Sequence, residues 1–286
     1  MAQETLTFDN SGTSAAVRVK VEDSLTTRTR AIWTAGDLLP IARSYAAGAD
    51  AFITRLGVHR SETVLDVACG TGNVAIAAAK TGARVYGIDI APNVIAQARL
   101  EARAAGVTVD FNVGNAEWLP FIDGMFDTTV TMFGAMFAPR PEAVVWELVR
   151  VTRDGGRVAM ANWKASGFAG QFFRAHLSAS PLPHHIRNPL DWGREEKVRE
   201  LFGDFVSSLT FATRTIELCF PMPPSGVSNL FATSYGPTVA ALETLDARDA
   251  KDFRDELCRL FRLHNRATDG TTSVCAEFLE VLARVA

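Results

Sequence analysis

This sequence of 286 residues lacks the features that mark secreted, membrane-spanning and zinc-binding proteins. Its four cysteines form no C-x-x-C pair, so we predict no zinc site or redox pair and expect buried thiols in a reducing compartment. No apolar stretch is long enough to span a bilayer, and the polar first residues contain no apolar signal segment. We therefore expect a cytoplasmic protein that does not contact membranes.

The sequence also has little net charge. The 29 basic and 32 acidic side chains give a net charge of −3, and no dense run of Lys and Arg occurs. Such a chain has no general attraction to nucleic acids or to anionic membranes, so we expect neither as a partner. The 48% of hydrophobic residues is enough for one elaborated α/β domain, or for a core domain with a small cap.

The most informative segment is an apolar strand over residues 64–67 that leads into a turn with Gly70 and Gly72. A helix of small residues follows over residues 74–79, and the next strand ends in Asp89. This order is typical of a βαβ unit that binds a nucleotide, because the glycines let a ligand approach the backbone and the acid accepts hydrogen bonds from ribose hydroxyls. The sequence therefore predicts a ligand that contains adenosine.

The core continues as alternating apolar strands and amphipathic helices, which predicts a mostly parallel sheet with helices on both faces. Strands are predicted over residues 63–67, 84–88, 107–113, 126–133 and 157–163, and helices over 74–79, 92–105 and 141–151. Before this core we predict a flexible segment over residues 1–30 and one helix over residues 32–56, which Gly57 ends.

After Trp163 the pattern changes. The elements predicted here are helices over residues 168–177 and 194–201, a strand over 209–220, and two helices within 227–267. The two helices flank Tyr235, Gly236 and Pro237. A last strand is predicted over residues 271–285, with a helix over 277–284 as the alternative.

The glycine pattern and three further features bear on which adenosine-containing ligand is favoured, and the first of the three, Asp66, lies in the strand before the glycine-rich turn. Residues 70–75 fit the pattern G-x-G-x-x-[GA], which by itself also suits a nicotinamide or flavin enzyme. Asp66, however, would repel a pyrophosphate and suits a ligand with cationic groups, such as the ammonium and sulfonium of S-adenosylmethionine. The alternative for Asp66 is a structural hydrogen bond to neighbouring backbone.

Further evidence follows the third and fourth predicted strands. Asn115, in the segment 114–121, carries an amide that can both donate to and accept from an adenine edge, although a plain turn is the alternative. Residues 132–137 are apolar and follow the carboxyl end of a strand, where open α/β sheets bind ligands. They predict either the wall of a methyl-transfer cleft or part of the core.

In order and spacing, residues 63–163 resemble the class I S-adenosylmethionine-dependent methyltransferases, and most closely the group around the ubiquinone and menaquinone methyltransferases. The resemblance is carried by LDVACGTG (65–72), GID (87–89), GNAEWLPF (114–121) and RVTRDGGR (150–157). Ala68 stands where a glycine is common. Asn115 stands where an aspartate is usual, which keeps an adenine contact but removes a charge.

The resemblance implies a doubly wound, mostly parallel, seven-stranded α/β sheet, the Rossmann-like methyltransferase fold, whose last two strands form an antiparallel hairpin. It implies a core of residues 31–220 and 270–286, with a helical cap over residues 221–269 that covers the acceptor site. It also implies S-adenosylmethionine as cofactor and S-adenosylhomocysteine as product. The residues expected to bind the cofactor are Asp66, Ala68, Gly70, Thr71, Gly72, Asp89, Ile90, Gly114, Asn115, Ala116, Glu117, Met132 and Phe133.

Methyl transfer by in-line displacement demands no catalytic residue, since the protein chiefly holds acceptor and methyl group together and excludes water. If the acceptor must lose a proton, the candidates for a base are Tyr235, His176 and His185, although a structural role suits each of them as well. The candidates for the acceptor side, for which core packing is the alternative, are Trp33, Met136, Trp192 and Tyr235. No pattern of the magnesium-dependent catechol methyltransferases is visible, so no metal is predicted.

We expect a small, moderately hydrophobic organic acceptor, and the methylated atom stays open between oxygen, nitrogen and carbon. Two other functions stay open: an NAD(P)-dependent oxidoreductase, and a non-catalytic protein that binds S-adenosylmethionine. A nucleic-acid methyltransferase is disfavoured, since residues 132–135 do not form an Asn-Pro-Pro-aromatic motif. The expected assembly is a monomer or a homodimer.

Overall fold

The computed structural model describes residues 23–183 and 186–286, which form one mixed β-sheet flanked by helices. The strands are β1 (Thr63–Val67), β2 (Arg84–Asp89), β3 (Asp110–Val113), β4 (Phe126–Met132), β5 (Thr152–Trp163), β6 (Val206–Phe220) and β7 (Thr272–Val285). They pair in the order β3-β2-β1-β4-β5-β7-β6. Strands β1 to β5 run parallel, whereas β7 is antiparallel to both β5 and β6. This topology confirms the predicted seven-stranded α/β fold with its antiparallel C-terminal hairpin.

Local sequence explains several helix ends. The α-helices are α1 (Ser24–Thr34), α2 (Leu39–Arg43), α3 (Ala46–Leu56), α4 (Asn73–Lys80), α5 (Pro92–Ala104), α6 (Pro141–Val151), α7 (Gly167–Ala179), α8 (Glu195–Phe202), α9 (Pro224–Ser234), α10 (Gly236–Thr244) and α11 (Ala247–His264). Proline begins α5 and α6, where its missing N–H costs no hydrogen bond. Gly57 has a left-handed φ of 61° and ends α3, as predicted.

The central parallel strands are buried on both faces, because helices cover each side of the sheet. Every residue of β1 after Thr63 is buried, and so is nearly all of β4. Much of β6 is exposed, since it forms one edge of the sheet. The parallel strands bring their carboxyl ends to one side of the sheet, which is where open α/β folds bind ligands. Each helix of the described residues is too short or too polar to cross a lipid bilayer.

The prediction of a single helix over residues 32–56 is wrong, because the chain breaks there into α1, α2 and α3. Gly36 lies against the backbone between α9 and α10, and a Cβ atom at this position would be 2.1 Å from the carbonyl oxygen of Ser234. The chain turns at this close approach, and Pro40 then lies in the first turn of α2. The predicted flexible segment over residues 1–30 falls largely outside the described residues, and its last part, from Ser24 onward, belongs to α1.

Strands β3, β5 and β6 begin at least three residues from their predicted positions, and β6 begins at Val206 rather than at residue 209. β3 begins at Asp110, because the amide of Val107 donates to the carbonyl oxygen of Ala102 at 3.1 Å and so continues the end of α5. β5 begins already at Thr152. Its pairing with β4 jumps from Thr152 to Arg157, so the predicted turn before β5 lies within the strand as a bulge.

The segment between β6 and β7 folds as three helices rather than the predicted two. Asp246 starts the additional helix, α11, because its carboxylate accepts a hydrogen bond from the amide of Asp249 at 2.8 Å. Helix α11 packs on α9 and α7, and α10 packs on α9 and α1. The structure confirms the predicted last strand, and the alternative helix over residues 277–284 is wrong.

Candidate active site

A large cavity opens at the carboxyl ends of the parallel strands, with about 1340 Å³ of empty space including the part open to solvent. The segments that follow the strands line this cavity together with residues of α1, α7 and α9. The predicted cofactor residues that line the cavity are Ala68, Gly70, Asp89, Ile90, Gly114, Asn115, Ala116, Glu117, Met132 and Phe133. The structure therefore brings most of the predicted cofactor residues to a single place.

Two residues of the cavity wall have backbone conformations that side chains rarely adopt. Ala68 after β1 and Phe133 after β4 have φ angles of 54° and 60°, in the left-handed region. Such residues cost about 1–3 kcal/mol and persist where the surrounding structure holds them. Gly134 allows a close contact here, because a Cβ atom at this position would be 2.3 Å from the carbonyl oxygen of Ala68. The ends of β1 and β4 are thus pressed together at the cavity wall.

Asp89 lines the cavity at the end of β2, as predicted. Its Oδ2 atom accepts a hydrogen bond from the amide of Gly70 at 2.9 Å, and its Oδ1 atom accepts one from the amide of Ala91 at 3.0 Å. Burial raises the pKa of Asp89, and these backbone hydrogen bonds oppose the rise. Each oxygen keeps a second lone pair, so the carboxylate can still accept hydrogen bonds from ribose hydroxyls. These acceptor positions fit the ribose hydroxyls of the predicted cofactor.

Asp66, Thr71 and Gly72 lie beneath the cavity wall and do not line it. Asp66 is 1% exposed, and its Oδ2 atom accepts a hydrogen bond from the amide of Ala75, in the first turn of α4, at 2.9 Å. Burial raises the pKa of Asp66 well above its usual value. A Cβ atom at Gly72 would be 2.8 Å from the ring of Phe111. The structural hydrogen bond considered as the alternative for Asp66 is therefore present, and it fixes α4 against β1.

A chain of polar contacts joins the predicted adenine side of the cavity to α1. The Oδ1 atom of Asn115 accepts a hydrogen bond from the amide of Glu117 at 2.9 Å, and its Nδ2 atom lies 3.4 Å from the hydroxyl of Thr26. The buried carboxylate of Glu117 binds the Nη1 atom of Arg140 at 2.6 Å. Arg140 also pairs with Asp23, which caps α1. One end of the Asn115 amide is thus already engaged, and the same network holds α1 over the cavity.

The other half of the cavity is aromatic. The rings of Phe133 and Trp163 stack with centroids 3.6 Å apart and planes inclined by 6°. Tyr45 meets Phe133 edge-on at 6.0 Å, and Trp33 meets Tyr235 edge-on at 5.7 Å. The further aromatic residues of the lining are Phe137, Phe168, Phe172, Phe173, Phe220 and Phe231. This surface suits an apolar or aromatic molecule.

The four candidates for the acceptor side divide into two pairs. Trp33 and Tyr235 line the cavity, in the aromatic half. Met136 and Trp192 are 1% and 2% exposed, lie in the hydrophobic core and do not line the cavity. The structure therefore places Met136 and Trp192 in the core, which was the alternative for these residues.

His176 packs against Tyr235 with ring centroids 5.9 Å apart and does not line the cavity. Its Nδ1 atom lies 2.9 Å from the carbonyl oxygen of Phe172, and its Nε2 atom lies 2.7 Å from the hydroxyl of Thr238. Burial lowers the pKa of His176 to about 4. These contacts join α7 to α10 and engage both ring nitrogens. His185, the other histidine candidate, lies outside the described residues.

Sequence reasoning missed several residues of the lining, among them Thr26, Ser44 and Tyr45. Tyr45 fits the apolar spacing of residues 32–56, so the pattern predicts a core residue there. Thr26 lies in the segment that was predicted to be flexible. One signal that could have singled out Tyr45 is rarity, since the chain has only three tyrosines.

The charge of the cavity is one-sided. Among the described residues of its lining, Asp89 and Glu117 are the charged side chains, and no lysine, arginine or histidine is present. The structure also contains no cluster of three or more His, Cys, Asp or Glu residues suited to a metal ion within residues 23–183 and 186–286. A cationic ligand therefore meets no repulsion from a basic side chain in this lining.

Comparison with known proteins relates this chain to methyltransferases. Residues 65–160 match a family model described as a methyltransferase domain. The uncharacterized protein Rv1405c of Mycobacterium tuberculosis is 35% identical over 227 residues, which cover 77% of this chain and 81% of that protein. The demethylmenaquinone methyltransferase of Thermus thermophilus is 40% identical over 118 residues, which cover 40% of this chain and 54% of that protein.

The fold has solved relatives as well. The crystal structure of the YcgJ protein of Bacillus subtilis superposes with a TM-score of 0.55 at 18% sequence identity. The match covers 84% of this chain and 98% of that chain. At this identity the likeness concerns the fold, and it agrees with the sheet topology described above.

Proposed function

Because this chain belongs to the class I S-adenosylmethionine-dependent methyltransferases, we propose that it methylates a small, moderately hydrophobic organic acceptor. The observation that carries this proposal is the division of the cavity into two halves. Asp89 and its backbone partners lie in one half, and stacked aromatic rings lie in the other. The first half suits the ribose of the cofactor, and the second suits an apolar acceptor.

When bound, S-adenosylmethionine supplies a transferable methyl group on a positively charged sulfur. Asp89 binds the ribose hydroxyls in this proposal, and the turn at Gly70 lets the backbone approach the ligand. The described lining has no basic side chain to repel the positive sulfur. The aromatic rings orient the acceptor and exclude water, which is the main contribution that a protein makes to an in-line displacement.

We infer that residues 221–269 act as a cap and that residues 31–220 and 270–286 form the core. Phe231 and Tyr235 support this division, because they reach the aromatic half of the cavity from the segment between β6 and β7. Trp33 of α1 packs edge-on against Tyr235, so α1 and the cap cover the aromatic half together. Such a cover keeps water from the acceptor.

Calorimetric titration tests the cofactor half. The purified protein is titrated in parallel with S-adenosylmethionine, S-adenosylhomocysteine and NAD⁺. We expect saturable binding of the first two and none of NAD⁺, because the carboxylate of Asp89 lies against the glycine-rich turn and already occupies the amide of Gly70, which disfavours a pyrophosphate there. Binding of NAD⁺ alone would support the oxidoreductase considered above and contradict the proposal.

Turnover tests the acceptor half and separates an enzyme from a non-catalytic protein that binds the cofactor. Phenolic, amine and quinone-like acceptors are incubated with S-adenosylmethionine, and release of S-adenosylhomocysteine is measured. We expect release with at least one apolar acceptor, because aromatic side chains line the cavity beside the residues of the cofactor half. Tight cofactor binding without release from any acceptor would favour the non-catalytic alternative. The cytoplasmic location, the assembly as monomer or homodimer and the absence of nucleic-acid partners stay predictions.

A further inference from the structure

Two tyrosine hydroxyls are the conspicuous polar groups of the aromatic half. Tyr45 lies between α2 and α3, and Tyr235 lies between α9 and α10, and both line the cavity. Neither hydroxyl makes a hydrogen bond with a described residue, and neither belongs to the fully buried polar atoms, so both keep contact with open space. An unpaired hydroxyl on the wall of a largely apolar cavity is available to a ligand that brings a polar group.

Both hydroxyls are suited to donate hydrogen bonds. Burial raises the pKa of Tyr45, and the nearby carboxylates of Asp66 and Asp89 raise it further. Burial also raises the pKa of Tyr235, and the neighbouring Tyr45 adds to this effect. The two groups therefore stay protonated at neutral pH, and they face a ligand as donors rather than as bases.

The surroundings of the two hydroxyls restrict the charge of that ligand. No lysine, arginine or histidine belongs to the described part of the lining, and the charged groups present are carboxylates. A carboxylate or phosphate on the acceptor would lose its hydration here without gaining a positive partner. A neutral oxygen would lose much less, because a tyrosine hydroxyl replaces the hydrogen bond from water.

We propose that Tyr45 and Tyr235 select the acceptor by donating hydrogen bonds to the oxygen of an uncharged aromatic molecule, and that acceptors with a carboxylate or phosphate are rejected. The ring of this molecule packs against the stacked pair of Phe133 and Trp163 and against Trp33. This inference rests on the proposed function, since it concerns the acceptor half of the same cavity. Tyr45 and Tyr235 act in it as specificity-determining residues.

Four naphthalene derivatives of nearly the same shape separate the effects of ring, oxygen and charge. The protein is saturated with S-adenosylhomocysteine, and binding of 1-naphthol, naphthalene, 1-naphthoate and 1-naphthyl phosphate is measured by equilibrium dialysis. We expect 1-naphthol to bind about tenfold more tightly than naphthalene, which is the effect of one or two neutral hydrogen bonds. We expect the two anions to bind about a hundredfold more weakly than 1-naphthol.

Tyrosine variants assign the effect to the two hydroxyls. In Tyr235→Phe, the preference for 1-naphthol over naphthalene falls to about twofold, while the affinity for naphthalene and for S-adenosylhomocysteine stays unchanged. Tyr45→Phe reduces the same preference. The matched control is Tyr86→Phe, which removes the third tyrosine hydroxyl of the chain from a ring that packs on Phe121 and Phe126 outside the cavity lining. This control keeps the full preference.

The outcomes separate this inference from the proposed function. If S-adenosylhomocysteine itself does not bind, the proposed function fails. If it binds but 1-naphthol does not, or if an anion binds as tightly as 1-naphthol, the inference about the acceptor is overturned. The same holds if the preference for 1-naphthol persists in both Tyr45→Phe and Tyr235→Phe. A preference that disappears in these variants alone supports it.

Discussion

The carboxylate of Asp89 and the amide of Gly70 are joined by a hydrogen bond of 2.9 Å, which ties the end of β2 to the glycine-rich turn after β1. The bond orients one carboxylate oxygen, while a second bond to the amide of Ala91 orients the other. Both oxygens are thereby held at the cavity with lone pairs to spare. Two separate sequence signals, a glycine pattern and a lone acid, thus form one binding group.

Replacing this acid tests the cofactor half. Asp89→Asn removes the charge and one of the two acceptor oxygens, so we expect affinity for S-adenosylmethionine to fall by about 1–3 kcal/mol, measured by calorimetry. The control is Asp110→Asn, an exposed acid at the start of β3, which should bind the cofactor as the original protein does. Equal affinity in the two variants would show that Asp89 does not contact the ligand.

Arg140 helps to hold α1 over the cavity, and its removal should lower the free energy of unfolding. Arg140→Ala removes the guanidinium that pairs with the buried carboxylate of Glu117 and leaves only the backbone amide of residue 140 as its donor there, so we expect the free energy of unfolding in urea to fall by about 1–3 kcal/mol. Arg187→Ala, which breaks an exposed pair with Glu142, should cost less than about 1 kcal/mol.

The same variant should also change how easily α1 is cleaved by a protease. Because Arg140 binds Asp23 at the start of α1, its loss should loosen α1, and limited proteolysis near residues 23–34 should become faster. S-Adenosylhomocysteine should slow this cleavage again, since α1 contributes Thr26 and Trp33 to the cavity lining. Cleavage at the original rate in Arg140→Ala would mean that other contacts hold α1.

The buried side chain of His176 should make the free energy of unfolding depend on pH. Its pKa is about 4 in the folded chain against 6.5 when unperturbed, because burial disfavours the charged ring. Between these values the unfolded chain binds a proton that the folded chain does not, so stability is fully present above pH 6.5 and falls as the pH falls towards 4. The loss from this group reaches about 3 kcal/mol in urea unfolding across that window.

Variants isolate the contribution of His176 through the change of the free energy of unfolding with pH, rather than through its value at one pH. His176→Gln should lower stability at every pH, because contacts to Phe172 and Thr238 are weakened, but it should flatten the dependence between pH 6.5 and 4. His59→Gln, the same substitution at an exposed histidine, is the matched control variant. An unchanged slope in His176→Gln would assign the acid sensitivity to other groups.

Gly134 tests the close contact between the ends of β1 and β4. Its backbone lies at φ −105° and ψ −60°, which alanine also adopts, so Gly134→Ala adds only a Cβ atom that would be 2.3 Å from the carbonyl oxygen of Ala68. We expect a loss of about 1–3 kcal/mol in thermal unfolding and a weaker affinity for S-adenosylhomocysteine.

A second glycine provides a control with a milder contact. Gly226→Ala lies in the first turn of α9, where the added Cβ atom would be 3.3 Å from the Cβ and Cγ atoms of Met222, so the better helix propensity of alanine and the tight contact oppose each other and the change should stay within about 1 kcal/mol. If Gly134→Ala changed stability as little as this control, the strained conformation of Ala68 would not depend on the contact with Gly134.

The sequence predicts the position of some site residues and not of others, for physical reasons. Asp89 and Asn115 follow strands whose ends are clear from hydrophobic pattern, so their position at the cavity was predictable. Met136 is apolar and adjoins the same cavity, yet it packs into the core, because a short 3-10 helix sends Phe137 rather than Met136 to the lining. Pattern alone does not separate the two, since both positions are apolar.

By itself the sequence determined the order of strands and helices in the core and the residues that follow β1, β2 and β3, because periodicity and glycine position are local properties of the chain. Only the tertiary structure decided which aromatic side chains share the cavity. Tyr45, Phe173 and Tyr235 come from segments far apart in the sequence, and they meet because the segments around α2, α7 and α9 pack over one end of the sheet. Contacts of this kind depend on the packing of whole elements, which no local pattern encodes.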